Sequence, residues 1–467
     1  MKRFWFIFLS ISVIVASADG QEVFVHIGRI DIEGNEKTRD KIILRELPFS
    51  PGDSLPIDRL ESLMREGEEM LVNTKLFGQV DIRVADWEAS GNEIAVKVRV
   101  EEFWYLYPFP IFELADRNFN VWWVEQNRSL SRTNFGLEFT HLNTTGQRDR
   151  LYLTAKFGYT QTYALEYQLP FVNKAQTLGL ITHIRYSRNK EINYLTLQNK
   201  QSFYEEDDRF VYSRFRSEFG LVWRPGLRTE HLLRIGYRQN QIAQVVADEL
   251  NPDFFLRGRS SQRFMSLTYH YSYDKRNLRA YPTAGHYLRL EVEKDGLGLF
   301  RDRNSLVFRG HYRHFVPIGS RWSVALRTAA KISLLRNQQP YNDYRAIGFN
   351  GNNLHGFEYY VIDGLDMAYL KTSMRFRLLQ NQIHFGKFIP LPSFRRMPVK
   401  IYAALHSDVG YVNDPFERGG NFLHNTPIWG GGIGMDFVFF HDKVFRLEYN
   451  FNHLMERGVF LHFNLNI

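Results

Sequence analysis

The last ten residues alternate. Val459, Leu461, Phe463, Leu465 and Ile467 fall on one side and Phe460, His462, Asn464 and Asn466 on the other. A period of two marks a β-strand with one apolar face. The rhythm recurs along the chain from about residue 105. Leu151, Leu153, Ala155 and Phe157 oppose Thr154 and Lys156; Leu288, Leu290 and Val292 oppose Arg289, Glu291 and Glu293; Phe445, Leu447, Tyr449 and Phe451 oppose Arg446, Glu448 and Asn450. Segments between turn signals number about sixteen, an even count that suits a membrane barrel with lipid outside and charges of both signs inside. A strand Gly458 to Ile467 that runs to the final residue suits the closing position, because closure leaves no unpaired edge in lipid. The fold class expected for 105–467 is therefore all-β: an antiparallel transmembrane β-barrel. Its lumen is too wide for wall side chains alone to fill.

Residues 22–102 keep a different rhythm. A strand with Ile30 and Ile32 breaks at Gly34-Asn35, and Thr38 is placed to cap a short helix carrying Ile43 and Leu47. A second helix sets Leu60, Leu63, Met64, Met70 and Leu71 in one stripe. Two strands follow: Gln79 to Ala85, and Asn92 to Glu101 with Ile94, Val96, Val98 and Val100 alternating, joined by a turn at Gly91-Asn92. This is a small α+β domain of order β-α-α-β-β.

Composition changes the picture in three places. Aromatic residues make up 15% of the chain, with 39 Phe and 25 Tyr, as the interfacial girdles of a barrel require. Mean hydropathy is nonetheless −0.36, because apolar and polar positions alternate, and no run past the N-terminus suggests a spanning helix. The chain has no cysteine, which excludes disulfides, thiolate metal sites and a lipoprotein anchor. Met1-Lys2-Arg3, the apolar stretch to Ala18 and the small residues Ala16-Ser17-Ala18 read as a signal peptide over 1–20, cleaved after Ala18 or after Gly20.

The β-α-α-β-β order, with Gly34-Asn35 after the first strand and Leu76-Phe77 before the second, resembles a POTRA domain of the outer-membrane assembly family that includes BamA and TamA. Three further stretches resemble the barrel of that family. Tyr273-Asp274-Lys275-Arg276-Asn277 with Tyr281-Pro282-Thr283-Ala284-Gly285 looks like its rim hairpin. Leu354-His355-Gly356-Phe357, within the long connection Leu334 to Asp366, looks like the tip of its lumen-entering loop, and Asp408-Val409-Gly410-Tyr411 like the strand that receives the tip. Where the family has Arg at the tip this chain has His355, and where the neighbouring strand usually has Glu it has Arg375. That pair of departures suggests that His355 and Arg375 meet a shared acidic partner, Asp408.

The resemblance implies an outer-membrane barrel with its first domain in the periplasm. It implies clients that are unfolded outer-membrane proteins or a secreted polypeptide, contacts with outer-membrane lipid, and assembly-complex subunits as further partners. Recruitment would use the POTRA edge strand at Val80 and Ile82, since a free edge adds an extended segment through main-chain hydrogen bonds. Templating would use the seam strand, with Gly458, Phe463, Leu465 and Ile467. A secretion pore for a dedicated partner and an accessory structural subunit remain open alternatives.

Chemistry at sequence level is sparse. The 15 histidines are scattered without metal-ligand spacing, and His406 near Asp408 lacks a nucleophile, so neither an enzyme nor a cofactor is implied. Gly430-Gly431-Gly432 is followed by no Lys-Ser/Thr and reads as a crowded strand segment rather than a phosphate loop. A net charge of +8 hints at nucleic acid, but interleaved Arg and Glu on inner faces fit a solvated wall better.

Overall fold

The computed structural model describes residues 23–88, 92–206, 209–300, 302–349, 351–386, 396–416, 420–440 and 443–465. The expected signal peptide, Gly91 of the expected turn and Ile467 lie outside the described residues, and Leu465 is described at its backbone alone.

The first domain runs β1 (Phe24–Glu33), α1 (Asp40–Glu46), β2 (Ser54–Pro56), α2 (Ile57–Val72), β3 (Phe77–Glu88) and β4 (Glu93–Glu102). Its sheet has the order β2-β1-β4-β3, with β1 and β4 parallel. A parallel pair needs a crossover, and the two helices supply it on one face. The alternating Ile94, Val96, Val98 and Val100 of β4 are buried, as are Leu60, Met64 and Leu71 of α2. Each such side chain contributes about 1.5–3 kcal/mol when fully buried, which opposes the ordering entropy of the segment. Two local expectations are corrected. A fourth, short strand, β2, stands between the helices and pairs with the start of β1. Thr38 does not cap α1, whose N-cap is Arg39 with no side-chain cap bond. The Thr38 hydroxyl is taken by Tyr105 Oη at 2.9 Å and Asn143 Nδ2 at 2.8 Å, and its N–H donates to Glu102. It joins the domain to the barrel instead.

The barrel wall is one sheet of sixteen strands in chain order, from Leu106–Leu114 to Arg457–Leu465. Outward positions such as Phe135, Leu137, Leu405, Ile433 and Phe463 are exposed, as a lipid-facing surface must be. The longest ladder joins Asp366–His384 to Arg396–Asn413. The end strands behave differently. Among the described residues no ladder joins Leu106–Leu114 to Arg457–Leu465, so the expected strand-to-strand closure is not made. The chemistry of the first strand accounts for this. Leu142 N–H donates to Tyr105 O and Ala115 N–H to Arg132 O, so odd-numbered residues bond the second strand and even-numbered ones face the seam. Pro108 and Pro110 are even, and proline has no N–H to give.

At the end that carries the first domain, the domain packs against the strand turns. Glu46, at the end of α1, accepts from Arg148 Nη1 at 2.8 Å and from both terminal nitrogens of Arg224 at 2.5 and 2.9 Å. Arg45 donates to Gln176 O and Arg224 O, and Asn73 Nδ2 donates to Asn277 O at 3.0 Å. Leu142 and Phe171 from the barrel complete the domain's apolar core.

Candidate functional site

The connection Leu334 to Leu365 turns into the lumen. Its base is pinched by pairing of Arg345–Ile347 with Ile362–Asp363, and Lys331 Nζ donates to Arg345 O and Gly364 O. At the tip, Leu354 and Phe357 are buried with Ile347, Ile362 and Val412. Gly356 has φ +85° and its Cα lies so near the wall that a Cβ would meet Phe451 O at 2.3 Å. On the wall opposite, a Cβ on Gly430 would meet His355 O at 2.0 Å. The glycine run beginning at Gly430 thus lets the tip lie flat against its strand. Gly410 sits beneath Leu354 Cδ1.

The polar contacts fix the tip in place. His355 donates twice to Asp408 Oδ2, from its backbone N–H at 2.9 Å and from ring Nδ1 at 2.7 Å. Lys371 Nζ stands 3.3 Å from the same oxygen and donates to Asn353 O at 2.6 Å. Asn452 Nδ2 donates to Gly356 O, and Asn450 Nδ2 to Glu358 Oε1. Arg375 does not share this acid. The ladder pairs Lys371 with Asp408 and Arg375 with Ala404, four residues along the strand, or about 13 Å at 3.3–3.4 Å per residue. Arg375 is buried elsewhere: it donates to Pro282 O at 3.2 Å and stacks over the Tyr281 ring, whose hydroxyl donates to Asp436 at 2.6 Å. It ties the rim hairpin to the lumen wall rather than the tip to its strand.

The seam is bridged by side chains of Ala115 to Arg132, which follows the first strand. Asn120 Nδ2 donates to Val459 O at 2.7 Å and its Oδ1 accepts from Leu461 N–H at 3.3 Å. A single carboxamide thus occupies two backbone groups on the seam edge of the last strand. The same segment grips the loop: Arg117 donates to Tyr360 O and Asn118 to Glu358 O. Phe460 of the last strand packs on Tyr359, with ring centroids 5.5 Å apart. Gly458 and Phe463 lie on that same strand, Phe463 facing outward.

In the first domain β3 is an edge strand. Val80 and Ile82 turn inward to the core, and the Ile82 N–H donates to Glu68 Oε1 of α2 at 2.9 Å. The edge therefore offers backbone groups, one of them covered by the domain's own helix.

The order of strands, the lumen-entering loop and the small domain at one mouth agree with what the chain resembles in sequence. Residues 124–384 match the Omp85 superfamily domain. The chain belongs to the Omp85 superfamily. Residues 25–102 match POTRA, the surface antigen variable number repeat. A stretch of 78 residues is 37% identical to the outer membrane protein assembly factor BamA of Nitratidesulfovibrio vulgaris; it is 17% of this chain and spans 9% of that relative. Among solved structures, BamA from Haemophilus ducreyi lacking POTRA domains 1-3 superposes with a TM-score of 0.52 at 13% identity, covering 94% of this chain and 83% of that one. CdiB from Escherichia coli gives 0.57 at 11%, covering 94% and 75%. At such identities these two likenesses establish the fold. This Omp85 member is an outer-membrane β-barrel protein with a POTRA domain.

Sequence reasoning missed two groupings. The buried trio Glu46, Arg148 and Arg224 joins residues far apart in the chain, and no local pattern announces it. His355, His406 and Glu448 bring side-chain donors within 4.8 Å of one another, as do Glu358, Glu448 and His462. Their spacing along the chain exceeds any metal motif, and only the strand register reveals them.

Proposed function

We propose that the chain assembles proteins into the outer membrane by offering its seam to an incoming strand. What carries this reading is the seam itself, where Pro108 and Pro110 strip donors from the first strand and, among the described residues, the seam hydrogen bonds to the last strand come from Asn120. An unsatisfied backbone group costs several kcal/mol in lipid, so the free edge of the last strand, from Gly458 through Phe463 to Leu465, favours any chain that supplies partners. The POTRA domain stands in the periplasm and the loop Leu334 to Leu365 enters from the outer face. β3 recruits unfolded clients through its edge at Val80 and Ile82 once Glu68 releases the Ile82 N–H.

The test is reconstitution of the full chain in liposomes with an urea-unfolded small barrel protein as client. Acceleration of client folding, read as heat-modifiable gel mobility and protease protection, supports the proposal. No acceleration, together with passage of a soluble unfolded polypeptide into the vesicle interior, would replace it with the secretion-pore reading.

A further inference from the structure

The loop tip and three wall strands meet in a group of side chains that the docking contacts do not use up. His355 commits Nδ1 to Asp408 at 2.7 Å and turns Nε2 toward Glu448 Oε2 at 3.5 Å. His406 commits Nδ1 to the Ser373 hydroxyl at 2.9 Å and turns Nε2 toward Glu448 Oε1 at 3.7 Å. These last two separations are too long for good hydrogen bonds. His406 Nε2 and Glu448 Oε1 are buried polar atoms with no partner, on side chains only 5% and 1% exposed. The two imidazoles stack with centroids 4.2 Å apart, which sets both Nε2 atoms on the same side, facing one carboxylate. His462 of the last strand brings its Nε2 to 3.3 Å from Glu448 Oε2, beside a cavity of about 270 Å³.

A histidine whose Nδ1–H is held by a carboxylate or hydroxyl presents Nε2 as a lone pair, the arrangement that outer-sphere partners give to metal-ligating imidazoles. Two such histidines and a carboxylate, all buried, make the nitrogen and oxygen donor set that zinc accepts. Bond lengths of about 2.0–2.1 Å require the three side chains to close by roughly an ångström each, within reach of χ adjustments.

We propose that His355, His406 and Glu448 form a divalent transition-metal site that takes zinc, with the fourth position open to water from the adjoining cavity. The ion would tie the loop tip to the strands Arg396–Asn413 and Lys443–Asn452, so it stabilises the docked loop. The proposal rests on this geometry alone and stands whether the barrel inserts clients or passes them.

Tag-free full-length protein, folded in detergent and stripped with chelator, is titrated with Zn²⁺ and separately with Co²⁺. The expected result is one ion per chain, with Co²⁺ giving the visible absorption of a tetrahedral site and Zn²⁺ displacing it. His406→Gln and Glu448→Gln should each weaken binding by at least about tenfold, the scale at which even outer-sphere changes act. His231→Ala, on a half-buried histidine outside the cluster, should leave it unchanged. Heat-modifiable mobility checks that every variant is folded. Absence of stoichiometric uptake by the wild type overturns the site without reference to any variant. So does uptake that folded His406→Gln retains in full.

Discussion

Two junctions in this molecule are made by side chains rather than by continuous ladder, and they are built oppositely. The joint between the POTRA domain and the barrel turns centres on Glu46, buried and held by Arg148 and by both terminal nitrogens of Arg224. Among the described residues the seam's hydrogen bonds are those of one half-buried carboxamide, Asn120 against Val459 and Leu461. Breaking a buried charge network leaves unpaired charges in a poor dielectric, so such a joint opens rarely. Releasing a neutral amide costs only about 0.5–1.5 kcal/mol net, which thermal motion supplies readily. The barrel is fixed where it meets the POTRA domain and loose at the seam.

The largest expected effect comes from breaking the firm joint. Glu46→Ala should destabilise the domain interface by about 3–5 kcal/mol, since it strands two buried guanidinium groups. Limited proteolysis at the segment between the domain and Leu106, or denaturant unfolding of the domain, reads it out. The same joint gives a pH signature. Burial alone would raise the Glu46 pKa, but Arg148 and Arg224 outweigh it and hold the carboxyl at about 2, against an ordinary 4.5. Because the folded value is depressed, the stabilisation is complete above about pH 4.5 and fades as pH falls toward 2. Its size is roughly 3 kcal/mol at 1.36 kcal/mol per unit. Loss of the interface above pH 5 would contradict this assignment.

The loose junction can be tightened. Pro108→Val with Pro110→Val restores two donors on the seam edge of the first strand, and each ladder bond formed adds about 1 kcal/mol. Spontaneous opening events in planar bilayers should become rarer by roughly tenfold or more, and client folding should slow. Unchanged opening would mean that the prolines do not set the seam's strength.

A smaller effect is expected from Asn120→Ala. Loss of the two-point clip should cost about 1 kcal/mol and speed amide exchange at Leu461 by several-fold. Asn120→Asp keeps the acceptor for the Leu461 N–H but loses the donor to Val459 O, so it should fall between wild type and alanine.

The contrast between the junctions also marks how far the sequence can be read. The wall was legible because a strand with lipid on one side and water on the other must alternate, and Leu288 to Glu293 or Phe445 to Asn450 can do little else. The stripe Leu60, Met64 and Leu71 likewise betrayed α2. Pairings set by closure were not legible. Arg375 was matched with Asp408 on charge alone, while the ladder places Lys371 there. Thr38 looked like a cap because its neighbours form a helix, yet its hydroxyl belongs to the contact with Asn143. The missing ladder at the seam had a visible cause in Pro108 and Pro110, whose shared parity becomes meaningful only once Leu142 and Ala115 show which edge the even positions face.

The central claim, that the seam opens while the domain joint stays shut, can be tested by locking each in turn in this cysteine-free chain. Phe460→Cys paired with Asn120→Cys, whose side chain reaches the backbone on both sides of Phe460, closes the seam on oxidation, and Asn73→Cys with Asn277→Cys closes the joint. With folded barrels in liposomes, the seam lock should abolish client insertion and reduction should restore it, while the joint lock should leave insertion near the wild-type rate. Full activity in a seam-locked barrel whose crosslink is verified by mass would contradict the account.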